Sequence, residues 1–110
     1  LRRSYVYDGD EVLSIGELFL HTNQQSITIN NQVIKLSKTE YKMLEFFMKN
    51  RNKIYTRAQL LDKIWENQLD IEERTVDVHI RRLRKILEPF SCEHYIQTVH
   101  GFGYKFFASI

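Results

Sequence analysis

The chain has 110 residues, of which 43% are hydrophobic, 27% charged and 13% aromatic, and this composition predicts one globular domain. That size excludes most multidomain enzymes, and the few glycines and prolines exclude a collagenous or linker-rich chain. Because no run approaches the ~20 apolar residues that span a bilayer, we expect a soluble cytoplasmic protein with no membrane partner. The single cysteine, Cys92, allows neither an internal disulfide nor a cysteine zinc site.

The positive charge is confined to the last third of the chain. Residues 74–110 hold six Lys and Arg against three Asp and Glu, whereas residues 37–73 are balanced and residues 1–36 have a net charge of −1. A basic surface on an otherwise nearly neutral protein favours a polyanion that meets one face of the domain. A solvated basic helix is the alternative explanation of the charge alone.

Four short strands are predicted first, at residues 12–15, 18–20, 26–29 and 33–36. Ile27 and Ile29 alternate with polar neighbours, as in a strand with one wet face. Asn30 and Asn31 tolerate positive φ, which a tight hairpin turn requires. The segment is therefore predicted to form a four-stranded antiparallel sheet.

Three helices are predicted to follow. Residues 37–40 and 56–59 have the sequence pattern of a capping box, so each opens a helix. Residues 70–73 can start the third helix. This helix must end by Pro89, because proline has no backbone N–H and disfavours a helical residue before it.

The chain ends in two aromatic-rich segments, 95–99 and 104–108, joined by two glycines and predicted to form a β-hairpin. We expect Tyr104, Phe106 and Phe107 in the core. Strands that are segregated from helices predict an α+β fold. Two helices, a basic third helix and a terminal hairpin follow one another in the order of a winged helix-turn-helix.

The third helix is predicted to be amphipathic. Its apolar residues recur at i, i+4, i+7 and i+11 and therefore face the core: Val76, Ile80, Leu83 and Leu87. Four cations lie on the opposite face: Arg74, Arg81, Arg82 and Lys85. Asp77 is the only acidic residue between Glu73 and Glu88, so ion pairs along the helix cannot neutralise this face.

The outer face of this helix has the chemistry of base recognition. A helix fits the major groove, and guanidinium groups donate two parallel hydrogen bonds to phosphate or to guanine. Val78 can pack on a thymine methyl group, although an incidental exposed valine would look the same. The Asp77 carboxylate can accept from a cytosine amino group.

The glycines of the hairpin allow its backbone to approach a phosphate or the minor groove. His100 either contacts DNA or polarises the turn, and Phe102 is predicted to be exposed at the tip. Trp65 is expected in the core, from where its indole N–H can still donate to a phosphate.

An enzyme is not predicted, because the chain lacks a phosphate-binding glycine loop and the common hydrolase motifs. Cys92, His94 and His79 lack a fourth ligand and the usual spacing of a metal site, so neither metal nor cofactor is expected. The competing function is that of a winged helix that binds protein rather than nucleic acid. Steep weakening of binding by salt would distinguish DNA binding from it.

From residue 13 to its C-terminus, the chain resembles the DNA-binding effector domain of OmpR/PhoB-type response regulators. The strongest stretch is 74–85, RTVDVHIRRLRK, and segments 57–61, 64–65, 87–89 and 96–104 follow the same pattern. The resemblance implies double-stranded promoter DNA as the partner, bound by a tandem homodimer on direct repeats. It also implies an upstream receiver domain that a sensor kinase phosphorylates. Residues 1–11 would be the remnant of the linker from that receiver, and residues 12–110 the DNA-binding domain.

The resemblance also implies roles for single residues. The base-reading positions fall on Asp77, Val78 and Arg82. The phosphate contacts fall on Trp65, Arg74, Thr75, His79, Arg81, Arg84, Thr98 and Tyr104. The loop 66–73, with Glu66, Ile71 and Glu73, would contact the sigma subunit of RNA polymerase.

The wing, formed by His100, Gly101 and Phe102, departs from the pattern. The pattern that the chain resembles most has arginine in place of His100 and a small polar residue in place of Phe102. A neutral histidine binds a narrow AT-rich minor groove less firmly than arginine, so a weaker wing contact is predicted.

Overall fold

Four antiparallel strands form the N-terminal sheet of the structure, a computed structural model that describes residues 11–66, 68 and 70–107. The strands are β1 (Val12–Ile15), β2 (Leu18–His21), β3 (Ser26–Ile29) and β4 (Gln32–Lys35), and they pair in chain order. Asn30 and Asn31 have φ angles of 53° and 67° in the turn between β3 and β4. The predicted sheet and its turn are confirmed.

The segment before this sheet, residues 1–11, lies almost wholly outside the described residues. The predicted linker remnant at 1–11 therefore stays a prediction, since residues 1–10 are not described. Its last residue, Glu11, accepts a hydrogen bond from the backbone N–H of Thr22 at 3.0 Å, so the hydrogen bonding of β1 and β2 extends to this point.

Three helices follow the sheet, and two of them begin where the capping patterns predict. The helices are α1 (Lys38–Lys49), α2 (Arg57–Ile64) and α3 (Arg74–Leu87). Thr56 and Gln59 form a reciprocal capping box at α2, whereas at α1 only the Ser37 side chain accepts from the backbone, at the N–H of Glu40. The Glu40 carboxylate instead faces α3.

The third helix was predicted to start within residues 70–73, but it begins at Arg74. Glu73 makes no side-chain cap, and Ile71 is half-buried against the core. Without a side-chain cap in the segment 70–73, no side-chain hydrogen bond there fixes an earlier helix start. The helix ends at Leu87, and Pro89 lies in a single 3₁₀ turn (Glu88–Phe90), as proline predicts.

A second sheet holds the C-terminal hairpin. Its strands are β5 (Ile54–Tyr55), β6 (Ile96–Val99) and β7 (Gly103–Phe106), in the order β5-β7-β6. A Cβ added to Gly103 would lie 2.0 Å from the Tyr55 carbonyl oxygen, so only glycine permits this pairing. The hairpin is thereby joined to the strand that leads into α2.

The core confirms the predicted amphipathic pattern of α3. Val76, Ile80, Leu83 and Leu87 are all at most 1% exposed. The α3 backbone is thus held against α1 and α2 by one face, and the opposite face is left at the surface. No helix in the described part of the chain is long and apolar enough to cross a membrane.

Phe107 was expected in the core, and that prediction is wrong. The described strand ends at Phe106, which is fully buried, and Phe107 is 38% exposed. The Lys105 ammonium lies 5.5 Å from the centre of the Phe107 ring, on the outer side of the hairpin. The alternation of a strand places two adjacent residues on opposite faces, so Phe106 and Phe107 cannot both be buried there.

Candidate nucleic-acid interface

The outer face of α3 presents three exposed cations, Arg81, Arg82 and Lys85. Within the described ranges, none of them forms an ion pair. Arg74 differs, because its Nε lies 2.7 Å from Oε1 of Glu72 in the preceding loop. The predicted unneutralised face is therefore present, although a residue outside the helix balances one of its four charges.

Val78 lies on the same surface and is 36% exposed. A β-branched apolar side chain next to guanidinium groups provides a contact surface for a methyl group, as the sequence suggested.

Asp77 is held by two other elements. Arg57, the first residue of α2, donates from Nε to Oδ1 of Asp77 at 3.0 Å, and the Tyr104 hydroxyl of β7 donates to the same oxygen. Burial, and then the hydrogen bond to Asp77, raise the pKa of Tyr104 above its usual value. Asp77 therefore joins α2, α3 and the hairpin, a connection that the sequence did not predict.

His79 lies at the inner edge of the basic face. Its Nδ1 is hydrogen-bonded to Oε2 of Glu40, which is 4% exposed and also accepts from the Ser37 hydroxyl. The centres of the Trp65 and His79 rings are 5.4 Å apart. Trp65 is 9% exposed, which confirms its place at the edge of the core.

The charge state of Glu40 follows from these neighbours. Burial by itself would raise the pKa of Glu40, but the hydrogen bonds from Ser37 and His79 and the charges of His79 and Arg82 outweigh it. The pKa therefore lies below the ordinary value of 4.5. An ionised carboxylate only accepts, so Nδ1 of His79 carries the proton in this hydrogen bond, and Nε2 is the ring nitrogen that Glu40 does not engage.

Arg84 fastens the hairpin to α3. It donates from Nε to the Ile96 carbonyl at 3.0 Å and from Nη2 to Oγ1 of Thr98 at 2.8 Å. Its guanidinium carbon lies 5.7 Å from the centre of the Tyr104 ring. Thr98 is exposed, and because its oxygen accepts from Arg84, its hydroxyl proton is left for an external acceptor.

The tip of the hairpin extends beside this surface. His100, Gly101 and Phe102 are exposed, and Phe102 at 68% is the most exposed large apolar side chain in the described residues. The Phe102 N–H donates to the Val99 carbonyl at 2.9 Å and closes the turn. A cleft of about 350 Å³ separates the tip from the first turn of α2.

The loop between α2 and α3 is described only in part, since residues 67 and 69 are not. Glu66 and Glu73 are exposed at its ends, and Ile71 is half-buried. Thr75, the second residue of α3, is also half-buried.

Sequence reasoning missed Arg57 and Glu40. The sequence marked Glu40 only as the last residue of the capping pattern at 37–40, which does not indicate its contact with His79 of α3. Arg57 had no comparable signal, since its partner Asp77 is twenty residues away in the chain. Among the described residues, no cluster of three or more His, Cys, Asp or Glu could hold a metal ion.

Three helices followed by a terminal hairpin that is tied to the third helix by Arg84 define a winged helix-turn-helix fold. The family described as "Transcriptional regulatory protein, C terminal" matches residues 31–106, and the chain belongs to this family. The resemblance to OmpR/PhoB-type response regulators is thereby confirmed.

Relatives and solved structures agree with this assignment. The chain is 44% identical over 106 residues to the phosphate regulon transcriptional regulatory protein PhoB of Pseudomonas aeruginosa. The matched region covers 96% of this chain and 46% of that protein. It is also similar to the DNA-binding domain of the response regulator AdeR in complex with an intercistronic region. There the TM-score is 0.78 and the identity 30%, over 87% of this chain and 99% of that one.

A third similarity is to the Klebsiella pneumoniae RstA DNA-binding domain in complex with the RstA box. Its TM-score is 0.76 and its identity 30%, over 87% of this chain and 96% of that one. The chain spans less than half the length of the curated PhoB relatives that it matches.

Proposed function

We propose that this chain is the effector domain of a two-component response regulator, which binds promoter DNA sequence-specifically and controls transcription. The observation that carries the proposal is the outer face of α3, where Arg81, Arg82 and Lys85 are exposed and have no ion-pair partner among the described residues. Like charges on one surface repel each other, and a bound polyanion removes that repulsion. The relatives are regulators of transcription by name, and two of the similar structures are complexes with DNA targets.

In this proposal α3 lies in the major groove. Arg82 donates to a guanine edge, Val78 packs on a thymine methyl group, and Asp77 accepts from a base amino group. The exposure of Arg82 and Val78 supports these roles.

Phosphates are bound on either side of the base-reading residues. Arg81 is exposed for such a contact, and Thr98 has a hydroxyl proton to donate while Arg84 provides positive charge beside it. Arg74 can reach a phosphate if it leaves Glu72, and Trp65, Thr75 and His79 remain predicted contacts from the resemblance. The hairpin tip, with His100, enters the adjacent minor groove.

The wider biological role is proposed from the relatives, because the chain spans less than half of their length. We propose that it acts in the cytoplasm, downstream of a receiver domain and its sensor kinase. We further propose that it binds direct repeats as a tandem dimer and contacts RNA polymerase sigma through the loop 66–73. Exposure of Glu66 and Glu73 supports the last contact.

The test is selection of bound duplexes from a random pool, followed by titration of the selected and random duplexes with the wild-type chain and Arg82→Ala. We expect the variant to lose about 1 to 3 kcal/mol on the selected site and much less on random DNA. Lys35→Ala, which removes an exposed cation from β4, is the matched control and should change neither titration. Equal losses of Arg82→Ala on both duplexes would contradict direct base recognition. No retention on duplex DNA even at low salt would refute DNA binding and favour a protein-binding winged helix.

A further inference from the structure

We infer that Arg57 and Tyr104 are positioning residues for base recognition, which hold the Asp77 carboxylate so that a single oxygen is offered to the base. The inference rests on the proposed function, because it assigns a cause to the specificity of that same surface. Neither side chain needs to contact a base in order to act in this way.

The geometry is a convergence of two donors on one oxygen. Arg57 Nε and the Tyr104 hydroxyl both donate to Oδ1 of Asp77, from α2 and β7 respectively. No side chain in the described ranges donates to Oδ2. The Asp77 side chain as a whole is 27% exposed, so the carboxylate is not sealed inside the protein.

Two donors that come from different elements fix the plane of a carboxylate. A free aspartate rotates about its terminal torsion, which is broad and roughly two-fold, and then accepts equally from differently placed amino groups. When Oδ1 is held, this torsion is fixed, and the lone pairs of Oδ2 point in fixed directions. The carboxylate can then distinguish cytosine from adenine, whose amino groups lie at different places in the major groove.

The charge of Arg57 has a second effect. A bare carboxylate next to the phosphate backbone is repelled, which opposes entry of α3 into the groove. The Arg57 guanidinium is half-exposed and lies against the Asp77 carboxylate, so the pair has no net charge. Arg57 therefore allows an acidic residue to remain at the first turn of a DNA-binding helix.

Tyr104 has a different role here from the phosphate contact that the resemblance implies. A phenol hydroxyl has one proton, and in this structure Asp77 accepts it. While that bond holds, Tyr104 cannot also donate to a phosphate oxygen. We therefore place Tyr104 with Arg57, behind the base-reading residue.

The experiment measures base preference and uses the whole chain. Wild type, Arg57→Gln and Asp77→Ala are each titrated with the selected duplex and with duplexes substituted at single base pairs. We expect Arg57→Gln to lower discrimination about tenfold at the base pair that Asp77→Ala also affects, and to leave discrimination at the Arg82 base pair unchanged. A variant that combines Arg57→Gln with Asp77→Ala should lose no more discrimination at that base pair than Asp77→Ala alone, since Arg57 acts through Asp77.

Lys63→Gln is the matched control, because Lys63 is an exposed cation in the last turn of the same helix. It should leave every base preference unchanged. If Arg57→Gln weakens all duplexes alike, or leaves the preference at the Asp77 base pair intact, Arg57 does not position Asp77. If the wild-type chain itself shows no sequence preference, the proposed function fails first, and that outcome is visible without any variant.

Tyr104→Phe tests the hydroxyl separately. It keeps the buried ring and should reduce discrimination at the same base pair without altering the dependence of log K on log salt. Because the phenol is uncharged, its loss from a phosphate would also leave the salt slope unchanged, so base preference decides between the two roles. An equal loss of affinity on every duplex, with discrimination intact, would place the Tyr104 hydroxyl on a phosphate and overturn its positioning role.

Discussion

Replacing Glu40 with glutamine should destabilise the domain much more than a nearly isosteric exchange in the first turn of α1 suggests. Glu40 is 4% exposed and accepts from both the Ser37 hydroxyl and Nδ1 of His79. Glutamine has nearly the same shape but only one acceptor oxygen, so one of the two hydrogen bonds is lost. It also leaves His79 facing a neutral group.

The expected magnitude follows from that single lost bond. A hydrogen bond to a charged group contributes about 1.5 to 3 kcal/mol, so we expect Glu40→Gln to lower the free energy of unfolding by about 2 kcal/mol. For a domain of this size, each kcal/mol shifts Tm by roughly 4 to 8 °C, which gives a fall of about 8 to 16 °C.

The loss should depend on pH in a defined direction. The pKa of Glu40 in the folded chain lies below its ordinary value of 4.5, so the carboxylate stabilises the fold above that pH. This contribution disappears as the pH falls through the lower folded pKa and Glu40 becomes protonated. The gap in Tm between wild type and Glu40→Gln should therefore be full at neutral pH and close in acid.

Thermal unfolding followed by circular dichroism, at neutral pH and at pH values below 4.5, measures both effects. Glu45→Gln is the matched control on the same helix, because Glu45 forms a more exposed ion pair with Lys49 at 3.1 Å. Its cost should be only about 0.3 to 0.5 kcal/mol. Equal shifts for the two variants, or a gap that does not change with pH, would refute the assignment of a charged, structural Glu40.

Three further predictions concern the interface and the hairpin. Arg81→Gln should flatten the slope of log K against log salt by about 0.9 in DNA titrations, and Arg74→Gln should flatten it less, because Glu72 already balances Arg74. Gly103→Ala should lower Tm more than Gly101→Ala, since the added methyl meets the β5 carbonyl oxygen at 2.0 Å in the first case and nothing within 4 Å in the second. His100→Arg should tighten binding to a site with a narrow AT-rich flank, compared by competition with a GC-flanked duplex.

Contrary outcomes are equally definite. An unchanged slope for Arg81→Gln would remove that residue from the phosphate contacts. A Tm for Gly103→Ala at or above that of Gly101→Ala would mean that β5 and β7 are not paired so closely. Equal gains of His100→Arg on AT-rich and GC-rich flanks would mean that the wing does not enter the minor groove.

Local patterns were sufficient to predict most of the fold. The apolar spacing of α3 placed Val76, Ile80, Leu83 and Leu87 in the core because burial follows the helical period, and the two capping patterns marked the starts of α1 and α2 for a similarly local reason. The strand β5 was not predicted, because two residues are too short to show any periodicity.

The contacts that orient the interface were beyond such reasoning. Asp77 with Arg57, and Glu40 with His79, are pairs of residues far apart in the chain that only the packing of the helices brings together. The sequence showed that Asp77 was unusual among cations, but composition cannot tell whether a carboxylate faces solvent, a base or a neighbouring helix. The exposed cations were easier to predict, since they need no partner within the protein.

The attachment of the hairpin has a consequence for the shape of DNA that the domain accepts. β7 pairs with β5 directly before α2, and Arg84 links β6 to α3, so the hairpin is attached to the helices at two places. If α3 and the hairpin tip bind neighbouring grooves as proposed, these attachments restrict how far the distance between the two can change. We therefore expect duplexes with a different twist or groove spacing to bind less tightly, even when they carry the preferred bases.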